Sequence, residues 1–241
     1  MSILKDTLRE ILITLHIDIT KNLKYDRLTR KILKKDLKEN SNCIDIGCHK
    51  GEILDLMYKF SPNGKHYAFE PIPHMYQNLI EHYSKKATIY PYALSDESGE
   101  TTFQFVKNAP AYSGIKKRRY DISNPDIEEI KVELKTLDEL IPESTRIDFI
   151  KIDVEGAEFG VLKGGKQLLI KNKPTLLFEC GKGGSDYYGT TPDDIFSFIN
   201  EEIGLDIFTL QDYYDNRDAL TKEQFSTHFD KNDEYYFVAA K

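Results

Sequence analysis

Apolar residues recur at intervals of three and four over the first forty positions. Ile3, Leu4, Leu8, Ile11, Leu12 and Leu15 form one stripe, and Leu23, Leu28, Ile32, Leu33 and Leu37 form a second. That period predicts helices over 3–38, a cap of residues 1–40 ahead of a domain over 41–241. The far face of the second helix carries Lys21, Lys24, Arg27, Arg30, Lys31, Lys34, Lys35 and Lys38. Such a face is either simply solvated or a contact for a protein partner or an anionic membrane surface.

Beyond Asn40 the period shortens. CIDIG (43–47), HYAFEP (66–71) and ATIYPYAL (87–94) read as strands, with GEILDLMYKF (51–60) and MYQNLIEHY (75–83) as helices between them. Alternating strands and helices predict a parallel sheet covered on both faces. TTFQFVK (101–107) and EIKVELKTL (129–137) break the rhythm as a β insertion after strand three, joined by a polar loop with SGIKKRRYD (113–121). The alternation resumes with IDFIKID (147–153), a helix over 154–170, PTLLFEC (174–180), and a helix over 191–202 capped by Thr191. LDIFTL (205–210) and EYYFVAAK (234–241) close the chain. No helix of apolar period is read between them, so this last pair is expected to be antiparallel.

Charge and cysteine content narrow the partners. The 40 acids outnumber 33 bases, for a net charge of −7, which weighs against a general nucleic-acid binder. Cys43, Cys48 and Cys180 form no CxxC pair and fit a reducing compartment. No apolar run reaches the roughly 20 residues of a membrane span, and the first sixteen residues do not read as a signal peptide. The expectation is a cytoplasmic protein.

The candidate chemistry lies at strand ends. DIGCHKG (45–51) joins a strand to a helix, where open α/β sheets bind ligands. Gly47 and Gly51 allow a tight turn, but their spacing is not the G-x-G-x-x-G of a dinucleotide pyrophosphate site. S-adenosyl-L-methionine has no pyrophosphate, and Asp45 is placed to help hold its methionine end. Glu70 closes the second strand, where an acid can accept both ribose hydroxyls. Ala93 and Leu94 close the third, with Leu94 expected against the adenine.

The series CIDIGCHKGE, YAFEPIP, YPYALSD, VELKTLDEL, FIKIDVEGAEFGVLKGG and LLFEC, spanning about 43–180, resembles the FkbM-type methyltransferase family in order and spacing. The resemblance implies a Rossmann-like class I fold: a seven-stranded, mostly parallel sheet whose last strand is antiparallel. It implies S-adenosyl-L-methionine as cofactor, held around Asp45, Gly47, His49, Gly51, Glu70, Pro71, Ala93, Leu94 and Asp153. It further implies methyl transfer to a hydroxyl oxygen, often on a sugar, glycolipid or polyketide. Where the family often has Ala-Asn after its first glycine, this chain has Cys48 and His49. His49 either replaces the asparagine's contact or faces solvent.

Transfer to an alcohol requires alignment and removal of a proton. Asp153 and Glu179, ending neighbouring strands, are the candidate catalytic carboxylates. A hard divalent cation between them is the other reading, which two carboxylates support only sparsely. Glu155 and Glu158 are expected in the first turn of the next helix, where the dipole favours acids. The acceptor, a small molecule or glycan with or without an anionic group, is assigned Glu155, Lys116, Arg118 and Arg119, with Tyr187 and Tyr188 in a glycine-rich loop as stacking surfaces. Transfer to nitrogen and a non-catalytic binding module remain as alternatives. A nicotinamide oxidoreductase is disfavoured by the glycine spacing and the lack of a Tyr-x-x-x-Lys dyad.

Overall fold

The computed structural model describes residues 20–120 and 122–241; the first predicted stripe, Ile3 to Leu15, lies outside them. Helix α1 (Lys21–Asp36) is capped by Thr20, whose side chain accepts from the Leu23 N–H. A seven-stranded sheet follows: β1 (Cys43–Ile46), β2 (His66–Phe69), β3 (Ala87–Tyr90), β7 (Phe149–Ile152), β8 (Thr175–Glu179), β9 (Asp206–Thr209) and β10 (Tyr236–Ala240). Their order is β3-β2-β1-β7-β8-β10-β9. Every pairing is parallel except those of β10, which runs antiparallel to both β8 and β9. This is the class I arrangement that the family resemblance implies.

Three elements depart from the sequence reading. The third strand is two: Pro91 has no N–H for a ladder, so β3 ends at Tyr90 and β4 (Tyr92–Leu94) leaves the main sheet. It joins β5 (Gly99–Val106) and β6 (Ile127–Lys135) in a second sheet of order β4-β6-β5. The helix expected over 154–170 starts only at Glu158, because Glu155 (φ 60°) and Gly156 (φ 105°) are left-handed. It then divides at Gly165 into α5 (Glu158–Gly164) and α6 (Lys166–Asn172). A helix, α9 (Lys222–Lys231), does lie between the last two strands. It has a Thr221/Gln224 capping box and buries Phe225 and Phe229. The antiparallel pairing stands, but the reason given for it does not.

The side chains of the central strands alternate between two covered faces. Ile44, Ile46, Ile150, Ile152, Leu176 and Phe178 pack into one core with α5, α6 and α9. Cys43, Phe149, Leu177 and Val238 pack on the other with Leu28, Ile32 and Leu33 of α1. Those three α1 side chains are wholly buried, worth about 1.5–3 kcal/mol each. The basic positions of α1 turn back onto the chain: Lys24 pairs with Glu234 at 2.8 Å, Lys31 lies over the Tyr214 ring, and Lys35 donates to the Tyr213 carbonyl and Asn216. No helix among the described residues is long and apolar enough to cross a membrane.

Candidate active site

The parallel strands end in register. Ile46 is level with Phe69 on one side and Ile152 on the other, and Ile152 with Phe178. The next residues, Gly47, Glu70, Asp153 and Glu179, therefore share one edge of the sheet. They line a cleft of about 1140 Å³. Gly47 must be glycine: it has φ 73°, and a Cβ there would stand 1.9 Å from the Asp153 carbonyl oxygen. That close approach holds the turn after β1 against the end of β7.

Glu70 fixes the same turn from the other side. Its two carboxylate oxygens accept from the His49 and Ile72 N–H groups, each at 2.9 Å. Burial pushes its pKa up to about 7, against the pull of those two bonds. His49 itself sits at φ 52°. Burial, with Lys50 adding to it, holds its ring below the ordinary histidine range. Its Nε2 is buried without a hydrogen-bond partner.

Asp45 is wholly buried and does not line the cleft. It lies directly across from Lys151 in the β1–β7 register. The Lys151 ammonium donates to the carbonyls of Gly47 at 2.7 Å and Ile46 at 3.2 Å. It stands 3.3 Å from Asp45 Oδ1 and 3.7 Å from Asp153 Oδ2. Its N–H bonds are aimed at the carbonyls, so it neutralises Asp45 while neither Asp45 oxygen gains an aligned hydrogen bond. Burial opposes the Lys151 charge, but Asp45 and Asp153 outweigh it and hold the ammonium above the ordinary lysine range.

Asp153 Oδ2 also accepts from the Tyr236 hydroxyl. Tyr236 reaches it because β10 is antiparallel: its first residue pairs with Glu179, the last of β8. Burial first, then Asp153 and Glu158, push Glu179 well above the usual carboxylate range. Glu179 therefore favours its protonated form beside the Asp153 carboxylate.

Glu155 is not in a helix. Its left-handed turn swings the carboxylate onto Arg118 in the β5–β6 insertion. Gly156, at φ 105°, lets the loop after β8 close on this turn: a Cβ would meet the Gly184 backbone at 2.5 Å. The insertion and that loop are tied together. Arg118 donates to the Gly183 carbonyl, Lys116 N–H to the Tyr188 hydroxyl, and Arg119 N–H to the Tyr187 hydroxyl. Arg118, Arg119, Glu155, Pro71, Ala93 and Leu94 line the cleft. Gly51, Lys116, Tyr187 and Tyr188 do not; the tyrosines serve the junction between the loops. One oxygen each of Asp153, Glu155 and Glu179 lies within 4.8 Å of the others. A cation there would have to displace Arg118 and the Tyr236 hydroxyl.

Glu158 is buried to 1% exposure rather than standing at a solvated helix end. Its Oε1 accepts from Val154 N–H at 3.0 Å and Gly156 N–H at 3.1 Å, which fixes the turn carrying Glu155. Burial raises its pKa from 4.5 to about 7. The folded state therefore holds this proton more tightly than the unfolded chain. Its stabilisation is complete below about pH 4.5 and is lost as pH rises towards 7, on the order of 3 kcal/mol in all. Glu158→Gln keeps the accepting oxygen and removes the titration. Thermal unfolding should match wild type at pH 5 and exceed it at pH 8. A variant less stable at pH 8 would mean that the turn needs an ionised carboxylate.

The methyltransferase FkbM domain matches residues 45–204. The chain belongs to the FkbM methyltransferase family. The 2-O-methyltransferase NoeI of Sinorhizobium fredii (strain NBRC 101917 / NGR234) is 27% identical over 173 residues, covering 64% of this chain and 68% of that protein. The crystal structure of methyltransferase FkbM from Methylobacillus flagellatus KT shares the fold, with a TM-score of 0.53 at 15% identity over 84% of this chain and 44% of that one. The chain thus spans under half of that crystallised protein. As an FkbM methyltransferase it is S-adenosyl-L-methionine-dependent. The cleft fits such a cofactor: a buried carboxylate closes β2, and His49 Nε2 is an orphaned polar atom in the adjoining turn. Lys151 and Tyr236 escaped the sequence reading, and Glu158 was read as a helix-end acid rather than as the brace of the turn before it. Lys151 had a signal, since FIKI repeats the alternation of CIDI and sets a lysine where the other strand has an aspartate.

Proposed function

We propose that the protein transfers a methyl group from S-adenosyl-L-methionine to a hydroxyl oxygen of a sugar, glycan or related hydroxylated metabolite. The observation that carries this reading is the Asp153–Glu179 pair lining the cleft, with Asp153 braced by Tyr236 and Lys151. When bound, the sulfonium cofactor supplies an activated methyl group. Gly47, His49 and Glu70 would hold it, with Ala93 and Leu94 beside the base. Asp153 takes the hydroxyl proton, and Tyr236 keeps its carboxylate in place. Glu179, holding its own proton, orients the acceptor. The 2-O-methyltransferase relative supports oxygen as the accepting atom; the sugar rests on family analogy. Three buried, unpaired cysteines support a reducing, cytoplasmic setting.

Calorimetric titration tests the cofactor half. S-adenosyl-L-methionine and its demethylated product should both bind. Glu70→Ala should weaken each about 10- to 100-fold, the worth of hydrogen bonds to a charged group. A folded sample that binds neither would end the reading.

A further inference from the structure

The cleft has a second wall, built from the two ends of the described chain. Asn22, Tyr25 and Asp26 of α1 line it, together with Asn232, Tyr235 and Tyr236 at the entry to β10. The helix read from sequence as a packing cap therefore forms part of the site.

Three tyrosine rings make this wall. Tyr25 packs edge-on against Tyr235 with centroids 4.8 Å apart, lies 5.4 Å from Tyr236, and the latter two are 6.1 Å apart. Each hydroxyl is already fixed. Tyr25 donates to Glu234 at 2.5 Å, Tyr235 to Asn22 at 2.5 Å, and Tyr236 to Asp153. The rings are ordered before any ligand arrives, which lowers the cost of binding to them. The Tyr236–Asp153 bond sets the wall next to the carboxylate pair.

Three cations around this wall have carboxylate partners, while Lys21 lies over the Tyr235 ring and donates to the Asn232 carbonyl at 3.2 Å. Arg118 is on Glu155, Lys182 on Asp230 at 2.8 Å, and Lys24 on Glu234 at 2.8 Å. An anionic ring substituent would have to compete with these partners for a cation. A neutral sugar ring would not: its C–H face covers an aromatic surface, while its rim of hydroxyls meets amides and carboxylates.

We propose that the Tyr25–Tyr235–Tyr236 wall is the acceptor subsite, and that it takes a neutral pyranoside, with Asn22, Asp26 and Asn232 around the ring's hydroxyl rim. This rests on the O-methylation reading above and names its substrate class and position.

Saturation-transfer NMR on the full chain, loaded with S-adenosylhomocysteine, tests it. The probes are the methyl α-glycosides of mannose, galactose and rhamnose, and galacturonic acid. Ring protons of at least one neutral glycoside should receive saturation, and galacturonic acid should receive at least fivefold less. Tyr235→Ala should cut the signal at least fivefold and Asn22→Ala at least twofold. Calorimetric affinity for S-adenosylhomocysteine should stay within twofold in both variants, which reports an intact fold. An unchanged glycoside signal in Tyr235→Ala would overturn the subsite. Transfer to galacturonic acid alone, or to no probe while S-adenosylhomocysteine binds, would overturn the neutral pyranoside and leave the methyltransferase reading standing. Failure of folded wild type to bind S-adenosylhomocysteine would remove both.

Discussion

Lys151→Met is expected to lower the unfolding free energy by about 3–5 kcal/mol, since it leaves Asp45 buried with no counter-charge. That is a large part of the roughly 5–15 kcal/mol that holds a domain together. The cause is the cross-strand position of the pair: Asp45 is wholly buried and Lys151 is opposite it. The same change frees the Gly47 carbonyl and one contact of Asp153. Asp45→Asn combined with Lys151→Met removes both charges and should recover more than half of the loss, because the penalty lies in the unpaired charge. Urea unfolding followed by circular dichroism gives all three values. A single Lys151→Met variant within 1 kcal/mol of wild type would show that Asp45 needs no counter-charge, and the neutralising role would fall.

Asp153→Asn should cut turnover by about 10²–10⁴-fold, the range for a positioned proton acceptor. Glu179→Gln should cost less than about tenfold, because a glutamine mimics the neutral form that burial and Asp153 favour at Glu179. The order of the two effects is the informative result. It is read as release of S-adenosylhomocysteine with an acceptor found in the glycoside screen. Affinity for the cofactor product should move less than about threefold in Glu179→Gln, so a turnover loss there would not come from an empty cleft. If Glu179→Gln proved the more damaging variant, Glu179 would be the base and Asp153 its support.

The sheet and its functional edge were legible because strand ends are local. CIDIG, HYAFE, FIKID and LLFE each mark their own carboxyl end, and register alone then aligns Gly47, Glu70, Asp153 and Glu179. Which face a residue takes was legible too, but was missed. Asp45 alternates with Ile44 and Ile46, so it faces α1 and Lys151 rather than the cleft. Glu155 was placed in a helix because Glu-Gly-Ala-Glu has an acidic first-turn composition. The backbone turns left-handed there instead, held by the Glu158 carboxylate and by the close approach of the Gly184 backbone. Tyr236 carried no local signal. Its role depends on pairing with Glu179, 57 positions earlier in the chain, a relation that only the assembled sheet creates. The aromatic wall is legible only in that assembled state as well, since α1 and the entry to β10 lie at opposite ends of the sequence.

The place of β10 between β8 and β9 bears on synthesis. A nascent chain that has emerged as far as Thr209 has made both outer strands of this trio but not the one between them. The free edge of β8 stays open, a site for mispairing with another chain, and β9 has no neighbour. Tyr236–Ala240 closes both gaps when it leaves the ribosome, and the same five residues bring the tyrosine hydroxyl to Asp153. Sheet closure and the Tyr236–Asp153 bond thus arrive together. A ribosome stalled before Tyr236 would release an aggregation-prone chain rather than a partly active enzyme.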